Sequence, residues 1–256
     1  TMMHMKYDYY NHTNVFKPGY NVQIGVNNGY IAYSYISPDV NDMKTAIPFL
    51  EGYRRQFQDY PKTVVTDAGY GSYGNYAYAQ LHQIQAILKY SGYQKKKEKV
   101  TEKNQFQLLH MKRNEKGVPV CPQGYDFEAE KVTVDMKSGV PRTTIHYRNQ
   151  HCEGCPLRSR CTTSKKGRSA RISPQLEKYQ KQVDAVLETE EGREFIAQRS
   201  SQAEGAFADI KKNFGYSLLR RRGESGVKVE LGLVILGYNL RHYHQRKMKT
   251  NPDTMN

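Results

Sequence analysis

Tryptophan is absent from the 256 residues, and the chain has little that would anchor it to a membrane. No apolar run approaches the roughly 20 residues that a membrane-spanning helix requires, and no signal-peptide pattern opens the chain. No basic amphipathic stripe carries the Trp or Leu face that binds membrane surfaces. These absences argue against a membrane partner, and we predict a cytoplasmic location.

Acidic residues are also scarce relative to basic ones. The sequence has 39 Lys and Arg residues against 25 Asp and Glu, a formal net charge of +14. A surplus of this size, spread over several clusters, favours a polyanionic partner, and nucleic acid is the predicted one. One cluster, Lys95-Lys96-Lys97, is consistent either with a solvated surface loop or with a segment that contacts phosphates.

The first part of the chain alternates strand and helix patterns. Residues 1–19 are polar and are interpreted as a mobile arm. Residues 20–26 and 30–36 read as a β-hairpin around Asn27-Asn28-Gly29. A helix ending near Phe57 follows, and Asp39 and Asp42 stand where helix N-caps are expected. The remaining elements are a strand that ends at Asp67, a helix over residues 72–83 and a strand over residues 84–88.

This order predicts an α/β core with a mixed sheet, interrupted by a second segment. Residues 92–170 are basic and rich in short alternating patterns, and they are interpreted as a β-rich, cysteine-containing insertion. Residues 171–256 follow helical periodicity and would return the chain to the core that residues 1–91 begin. Within them Ala203, Phe207, Ile210 and Phe214 are predicted to share the face that packs on the sheet.

The 4 cysteines fall within the insertion with the spacing C-x30-C-x2-C-x5-C. A Cys-x-x-Cys pair on a glycine-containing turn can place two thiolates on one Zn²⁺, and two further thiols would complete a tetrahedral site. Zinc ligands and reduced structural cysteines are both consistent with the spacing, and disulfides are a third alternative. The residues concerned are Cys121, Cys152, Cys155 and Cys161, with His146 and His151 as possible substitutes.

Two carboxylates stand out as candidates for chemistry. Asp67 ends a β-branched strand and precedes two glycines, so it can hold a divalent cation or simply cap the turn. Glu204 lies on an amphipathic helix, where a solvated residue or an ion pair is the alternative. Carboxylates from distant segments of an α/β core can share Mg²⁺ or Mn²⁺, and two such ions stabilise an in-line phosphoryl displacement.

Several motifs, taken in order, resemble the DDE-type insertion-sequence transposases of bacteria, which have an RNase H-like core. Together they span almost the whole chain. The segments are Lys17-Pro18-Gly19-Tyr20-Asn21-Val22-Gln23-Ile24, Val65-Thr66-Asp67-Ala68-Gly69-Tyr70-Gly71-Ser72, the Cys-Pro-x-Gly and Cys-x-x-Cys-Pro-Leu pieces, Arg199-Ser200-Ser201-Gln202-Ala203-Glu204-Gly205-Ala206-Phe207 with Ile210-Lys211, and Leu231 with Asn239-Leu240-Arg241.

The resemblance implies a role for each matching residue. Asp67 would be the second acidic metal ligand and Glu204 the third, holding Mg²⁺ or Mn²⁺ for DNA cleavage and strand transfer. Lys211 would contact DNA near the scissile phosphate, and Arg199 matches the arginine that precedes the glutamate. The resemblance also implies transposon ends and target DNA as partners and a homo-oligomeric active complex. Further residues expected to bind DNA are Lys212, Arg220, Arg221 and Arg222.

The family's first catalytic aspartate has no counterpart among these motifs. It lies upstream of the segment that begins here at Lys17, and Asp8 does not match it. The chain is therefore expected to be the carboxyl-terminal portion of a transposase, inactive by itself. The alternatives are a truncated protein that only binds DNA and a zinc-ribbon interaction module unrelated to DNA.

Overall fold

The structure is a computed structural model that describes residues 15–39 and 41–250, together with the backbone of residues 4–7. It is a mixture of short sheets and helices, so the predicted α/β class is confirmed. The strands are β1 His4–Tyr7, β2 Phe16–Gly19, β3 Asn21–Asn27, β4 Tyr30–Ser37, β5 Thr63–Thr66, β6 Gln85–Leu88, β7 Lys112–Arg113, β8 Pro119–Val120, β9 Glu128–Lys137, β10 Val140–Arg148 and β11 Ser169–Ile172.

The helices range from one turn to 27 residues. They are α1 Ala46–Phe57, α2 Tyr73–Leu81, α3 Tyr93–Lys97, α4 Arg158–Cys161, α5 Pro174–Glu188, α6 Glu190–Arg199, α7 Gly205–Ala208 and α8 Glu224–Thr250. The chain divides into two compact units, one of residues 1–66 and 187–256 and one of residues 67–186. The three-layer RNase H-like core and the bounds of the insertion stay predictions.

In the first unit, β3 and β4 form the predicted antiparallel hairpin, with Asn27 paired to Tyr30. Asn28 and Gly29 make the turn with φ values of 52° and 83°. A two-residue turn with positive φ at both positions matches the right-handed twist of the flanking strands, and Asn-Gly adopts it at low cost. The hairpin prediction is therefore confirmed, together with its turn residues.

Two predictions near the start of the chain are wrong. Residues 4–7 and 16–19 do not form an irregular arm, because β1 pairs antiparallel with β2. Residues 1–3 and 8–14, which include Asp8, lie outside the described residues. Asp39 and Asp42 are not the capping residues either. Asn41 caps the 3-10 turn Asp42–Lys44 that precedes α1, since its side chain accepts a hydrogen bond from the Met43 amide at 3.0 Å.

The two aspartates bind other partners instead. Asp39 forms an ion pair with Lys44 at 3.4 Å. Asp42 Oδ1 accepts hydrogen bonds from the side-chain amides of Asn21 and Gln23 at 2.7 and 3.2 Å. Asp42 therefore ties β3 to the segment that precedes α1, a contact that no local pattern indicated.

The core of the first unit lies where α8 and the helical segment 190–213 cover the hairpin. Ile31 of β4 packs with Ala206, Ile210 and Tyr238. A neighbouring cluster joins Ile36 of β4 to Val227 and Leu231 of α8. The predicted packing face is thus wrong in part, because Ala206, rather than Ala203 or Phe207, is buried with Ile210.

In the second unit, β9, β10 and β11 form a three-stranded antiparallel sheet in the order β11-β10-β9. The short strands predicted within residues 131–134 and 143–147 are confirmed as parts of β9 and β10. A small core lies beneath this sheet and is made of Met111, Phe127, Tyr147, Ala170 and Ile172. Across the residues described, no helix is both long and apolar enough to traverse a lipid bilayer.

Candidate functional site

Asp67 follows β5 directly and begins a tight turn, as the sequence predicts. Its Oδ1 accepts a hydrogen bond from the Gly69 amide at 2.9 Å, and it caps the single 3-10 turn Ala68–Tyr70. Its side chain is exposed and can therefore be reached from solvent. Capping is the role that the structure gives this carboxylate, and metal binding stays a prediction.

Gly71 ends that turn at a position where no larger residue fits. A Cβ atom on Gly71 would lie 2.3 Å from the carbonyl oxygen of Lys89 and 2.7 Å from Tyr90 Cα. Both distances are far below van der Waals contact. The residue is thus required for close backbone approach, although its φ of −71° is ordinary. The helix α2 then starts at Tyr73, where Ser72 accepts a hydrogen bond from the Asn75 amide.

Glu204 closes a π-helical turn, Ser200–Glu204, inserted between α6 and α7. In a π turn, hydrogen bonds join residues five positions apart, and such turns occur frequently at functional sites. Arg199 and Glu204 are five apart, and here their side chains meet: Arg199 Nη2 donates to Glu204 Oε1 at 2.7 Å. The Ser200 hydroxyl donates to Oε2 at 3.2 Å. Both oxygens of the carboxylate therefore have partners.

The π turn is also attached to the hairpin. The amide of Gly29 donates a hydrogen bond to the side-chain oxygen of Gln202 at 3.3 Å. Arg199 is mostly covered, with 21% of its side chain exposed, whereas 62% of Glu204 is exposed. Among the described residues, no acceptor contacts the buried Nε of Arg199. Arg199 is thus a partner of Glu204 in this structure, and its predicted contact with DNA is untested.

The other predicted DNA-binding residues occupy the surface of the same unit. Lys211 Nζ lies 5.4 Å from the centre of the Phe207 ring, and Lys212 is exposed on the following π turn, Asp209–Asn213. Arg220, Arg221 and Arg222 are all exposed on the loop that precedes α8. Their exposure leaves these cations accessible to a nucleic-acid backbone.

Glu230 holds the backbone of that arginine loop, a role that the sequence did not reveal. Its two carboxylate oxygens accept hydrogen bonds from the amides of Arg220 and Arg221, each at 2.7 Å. The Tyr216 hydroxyl donates to the same carboxylate. The sequence signal was an acid on a helix just after an arginine run, which would suggest pairing with guanidinium groups rather than with backbone amides.

We expect acid to release the arginine loop. Burial alone would raise the pKa of Glu230, but the hydrogen bonds from Tyr216 and the two amides outweigh it and lower the pKa below its ordinary value of 4.5. A lowered pKa in the folded state stabilises the loop above pH 4.5, and this stabilisation is lost as the pH falls through the lowered pKa.

The amide NMR shifts of Arg220 and Arg221 between pH 7 and pH 3 measure this effect. Glu230→Gln should give the released shifts already at neutral pH, whereas Glu224→Gln, at an exposed acid of the same helix, should not. Shifts that stay constant down to pH 3 would contradict the role of Glu230.

The four cysteines line one cavity in the second unit. Cys121, Cys152, Cys155 and Cys161 contribute to its wall, together with Arg158, Arg168 and His151. All four are free thiols, so the disulfide alternative is wrong for this structure. Burial raises the pKa of Cys161 and the three other cysteines add to that effect, while Arg168 opposes it. The Arg168 amide lies 3.3 Å from Cys152 Sγ.

Four thiols around one cavity match zinc in chemical type, but their arrangement does not fit the ion. Among the described residues, no group of three or more His, Cys, Asp or Glu side chains is positioned to hold a metal ion. His151 borders the cavity, whereas His146 contacts Thr133 Oγ1 at 2.9 Å within the sheet. Reduced structural cysteines are therefore the alternative that this geometry supports.

The two carboxylates predicted to bind magnesium belong to different compact units, Glu204 to the first and Asp67 to the second. Their oxygen ligands are of the kind that Mg²⁺ and Mn²⁺ prefer. Within the described part of the chain, neither carboxylate belongs to a preformed cluster of metal ligands.

Comparison with known families gives a match to part of the chain. The family model described as a transposase DDE domain matches residues 120–244. That range contains Arg199, Glu204, Lys211, the arginine loop and all four cysteines, whereas Asp67 lies outside it. No curated protein and no solved structure matches the chain. Residues 120–244 of this chain thus match a transposase DDE domain, which supports the resemblance to the DDE-type transposases.

Proposed function

We propose that the chain supplies metal ligands and DNA contacts for metal-dependent cleavage and strand transfer of DNA by in-line phosphoryl displacement. The observation that carries the proposal is the match to a transposase DDE domain over residues 120–244, which contains Glu204 on its π turn. Asp67 supports it, as an exposed carboxylate at the end of a strand. An RNase H-like core with a basic insertion at residues 92–170 is part of the same proposal.

Asp67 and Glu204 would hold Mg²⁺ or Mn²⁺. When bound, such cations stabilise the attacking and leaving oxygens of the displacement. In the described structure Arg199 neutralises Glu204, so a cation and the guanidinium compete for the same carboxylate. Arg199 released in this way would be free to contact a phosphate, which fits the role that the family resemblance implies.

The basic residues of the first unit would bind the DNA backbone. Lys212 and the arginine loop are exposed cations, and phosphate contacts of this kind give affinity that falls steeply with salt. Lys211 would lie near the scissile phosphate. We propose transposon ends and target DNA as the substrates and a homo-oligomer as the active form.

A second candidate function is DNA binding without cleavage. Both oxygens of Glu204 accept hydrogen bonds from neighbouring side chains, and the described residues contain no preformed metal cluster. The net charge of +14 serves binding whether or not cleavage follows.

Nicking of supercoiled plasmid DNA in Mn²⁺ separates the two functions. We expect Asp67→Asn and Glu204→Gln each to slow nicking by more than about 100-fold, because even residues that only orient metal ligands are worth 10–100-fold. The matched controls Asp59→Asn and Glu194→Gln change exposed acids near each site and should nick at the normal rate.

The outcomes are distinct. Nicking that survives in both site variants would contradict the roles of Asp67 and Glu204. A wild-type chain that retards labelled DNA in a gel but never nicks it would favour the second candidate.

A further inference from the structure

Helix α8 is apolar on two opposite faces. One face packs on the hairpin of the first unit, through Val227, Leu231 and Tyr238, all of them buried. The other face carries five large apolar side chains that remain exposed. A helix that is hydrophobic all round is normally buried on all sides. The exposed residues, called here the outer stripe, are Val229 (65% exposed), Leu233 (64%), Leu236 (54%), Leu240 (59%) and Tyr243 (57%).

The outer stripe has the spacing of a coiled-coil seam. Its members follow one another at intervals of 4, 3, 4 and 3 residues, the alternation by which the a and d positions of a heptad face a partner helix. Single exposed apolar residues are common on protein surfaces and need no explanation. Five in one line along a helix form a continuous apolar face, and such a face is normally covered by another element.

Two glycines flank the outer stripe and point to the same conclusion. Gly232 and Gly237 are exposed in the middle of α8, and a Cβ atom on either would contact nothing. Glycine inside a helix costs about 1 kcal/mol relative to alanine, and here no contact within the chain requires it. Small residues beside an apolar seam let the backbone of a second helix approach closely.

The size and charge of the outer stripe favour a protein partner over a nucleic acid. The stripe has no charged member, so the polyanion that the exposed cations favour is not what it binds. Its side chains expose on the order of 500 Å² together, a patch large enough to mark a protein interface. A stable dimer covers roughly 800 Å² on each partner, so the stripe would form the apolar centre and its neighbours the rim.

We propose that the outer stripe of α8 is the dimer interface of this chain, in which two copies pair α8 against α8. A second copy supplies an apolar helix face of matching length and spacing, and a patch that pairs with itself fits a two-fold interface. This specifies the surface of the homo-oligomer named in the proposed function. It stands on the structure of α8 alone and needs neither cleavage nor a metal.

Sedimentation equilibrium without DNA or metal tests the proposal on the full chain. The wild type should have twice its monomer mass of 29.6 kDa. Leu233→Glu with Leu240→Glu should raise the dimer dissociation constant by about 100-fold or more, because two central apolar contacts are replaced by charges. Gln245→Glu adds a charge at an exposed polar position on the side of α8 away from the outer stripe and should leave the dimer intact.

Far-UV circular dichroism of each variant confirms that α8 is still folded. The proposal is overturned if the wild type stays monomeric up to about 100 µM, a concentration at which even weak dimers form. A dimer that persists in the Leu233→Glu, Leu240→Glu chain would overturn it too. Either failure leaves the nicking result unaffected, so this proposal and the proposed function fail separately.

Discussion

Replacement of Asn239 with alanine is expected to lower the free energy of unfolding by about 2–4 kcal/mol, a large share of the stability of a typical domain. The side-chain amide of Asn239 makes two hydrogen bonds to one residue of β4. Its oxygen accepts from the Ile31 amide and its nitrogen donates to the Ile31 carbonyl, both at 2.9 Å. It thereby takes the place of a neighbouring strand.

The expected loss is large because Ile31 is only 3% exposed. Alanine at position 239 would leave a buried backbone donor and a buried acceptor without partners, and each costs about 1–3 kcal/mol. Urea unfolding measures the change. Hydrogen exchange at the Ile31 amide localises it, and Gln245→Ala, at an exposed position of the same helix, is the control. An Asn239→Ala chain as stable as that control would show that water replaces both bonds.

Replacement of Gly29 with alanine is expected to cost about 2–4 kcal/mol, for two additive reasons. Its φ of 83° is a conformation that side chains with a Cβ atom disfavour. In addition, the new Cβ atom would lie 2.4 Å from Nε2 of His242. That ring cannot simply turn aside, because Tyr30 packs edge-on against it at 4.8 Å and Tyr238 stacks on it at 6.2 Å.

Gly139 provides a matched control for this substitution. It occupies the turn between β9 and β10 with a φ of 77°, and a Cβ atom there would contact nothing. Gly139→Ala should therefore show the backbone penalty alone, about 1 kcal/mol, and urea unfolding of both variants isolates the contribution of His242. Equal losses at the two glycines would show that the His242 ring moves freely.

Elements that are specified by nearby residues could be predicted from the sequence. The Asn-Gly turn, the strand that ends at Asp67 and the helices α1, α2, α5 and α8 follow from turn chemistry and from the periodicity of apolar residues. These signals are local, because each depends on the residues within one or two turns of the chain. The resemblance to transposases likewise followed from ordered motifs, and the match to a transposase DDE domain over residues 120–244 supports it.

Predictions that depended on a regular helix or on a choice between partners were weaker. The face shared by Ala203 and Phe207 was wrong because the π turn Ser200–Glu204 departs from regular α-helical spacing. That turn is joined to the hairpin by the hydrogen bond from Gly29 to Gln202, a contact that the local sequence does not specify. The caps assigned to Asp39 and Asp42 failed because Asn41 took the capping role and long-range amides bound Asp42.

By itself, then, the sequence determined the α/β class, the position of most elements and the identity of the acidic and basic residues that the proposed function uses. Only the tertiary structure decided what those residues contact. It paired Glu204 with Arg199, bound Glu230 to the backbone of the arginine loop and left the outer stripe of α8 exposed. The physical reason is that side-chain partners lie far apart in the chain, so a pattern within one segment cannot specify them.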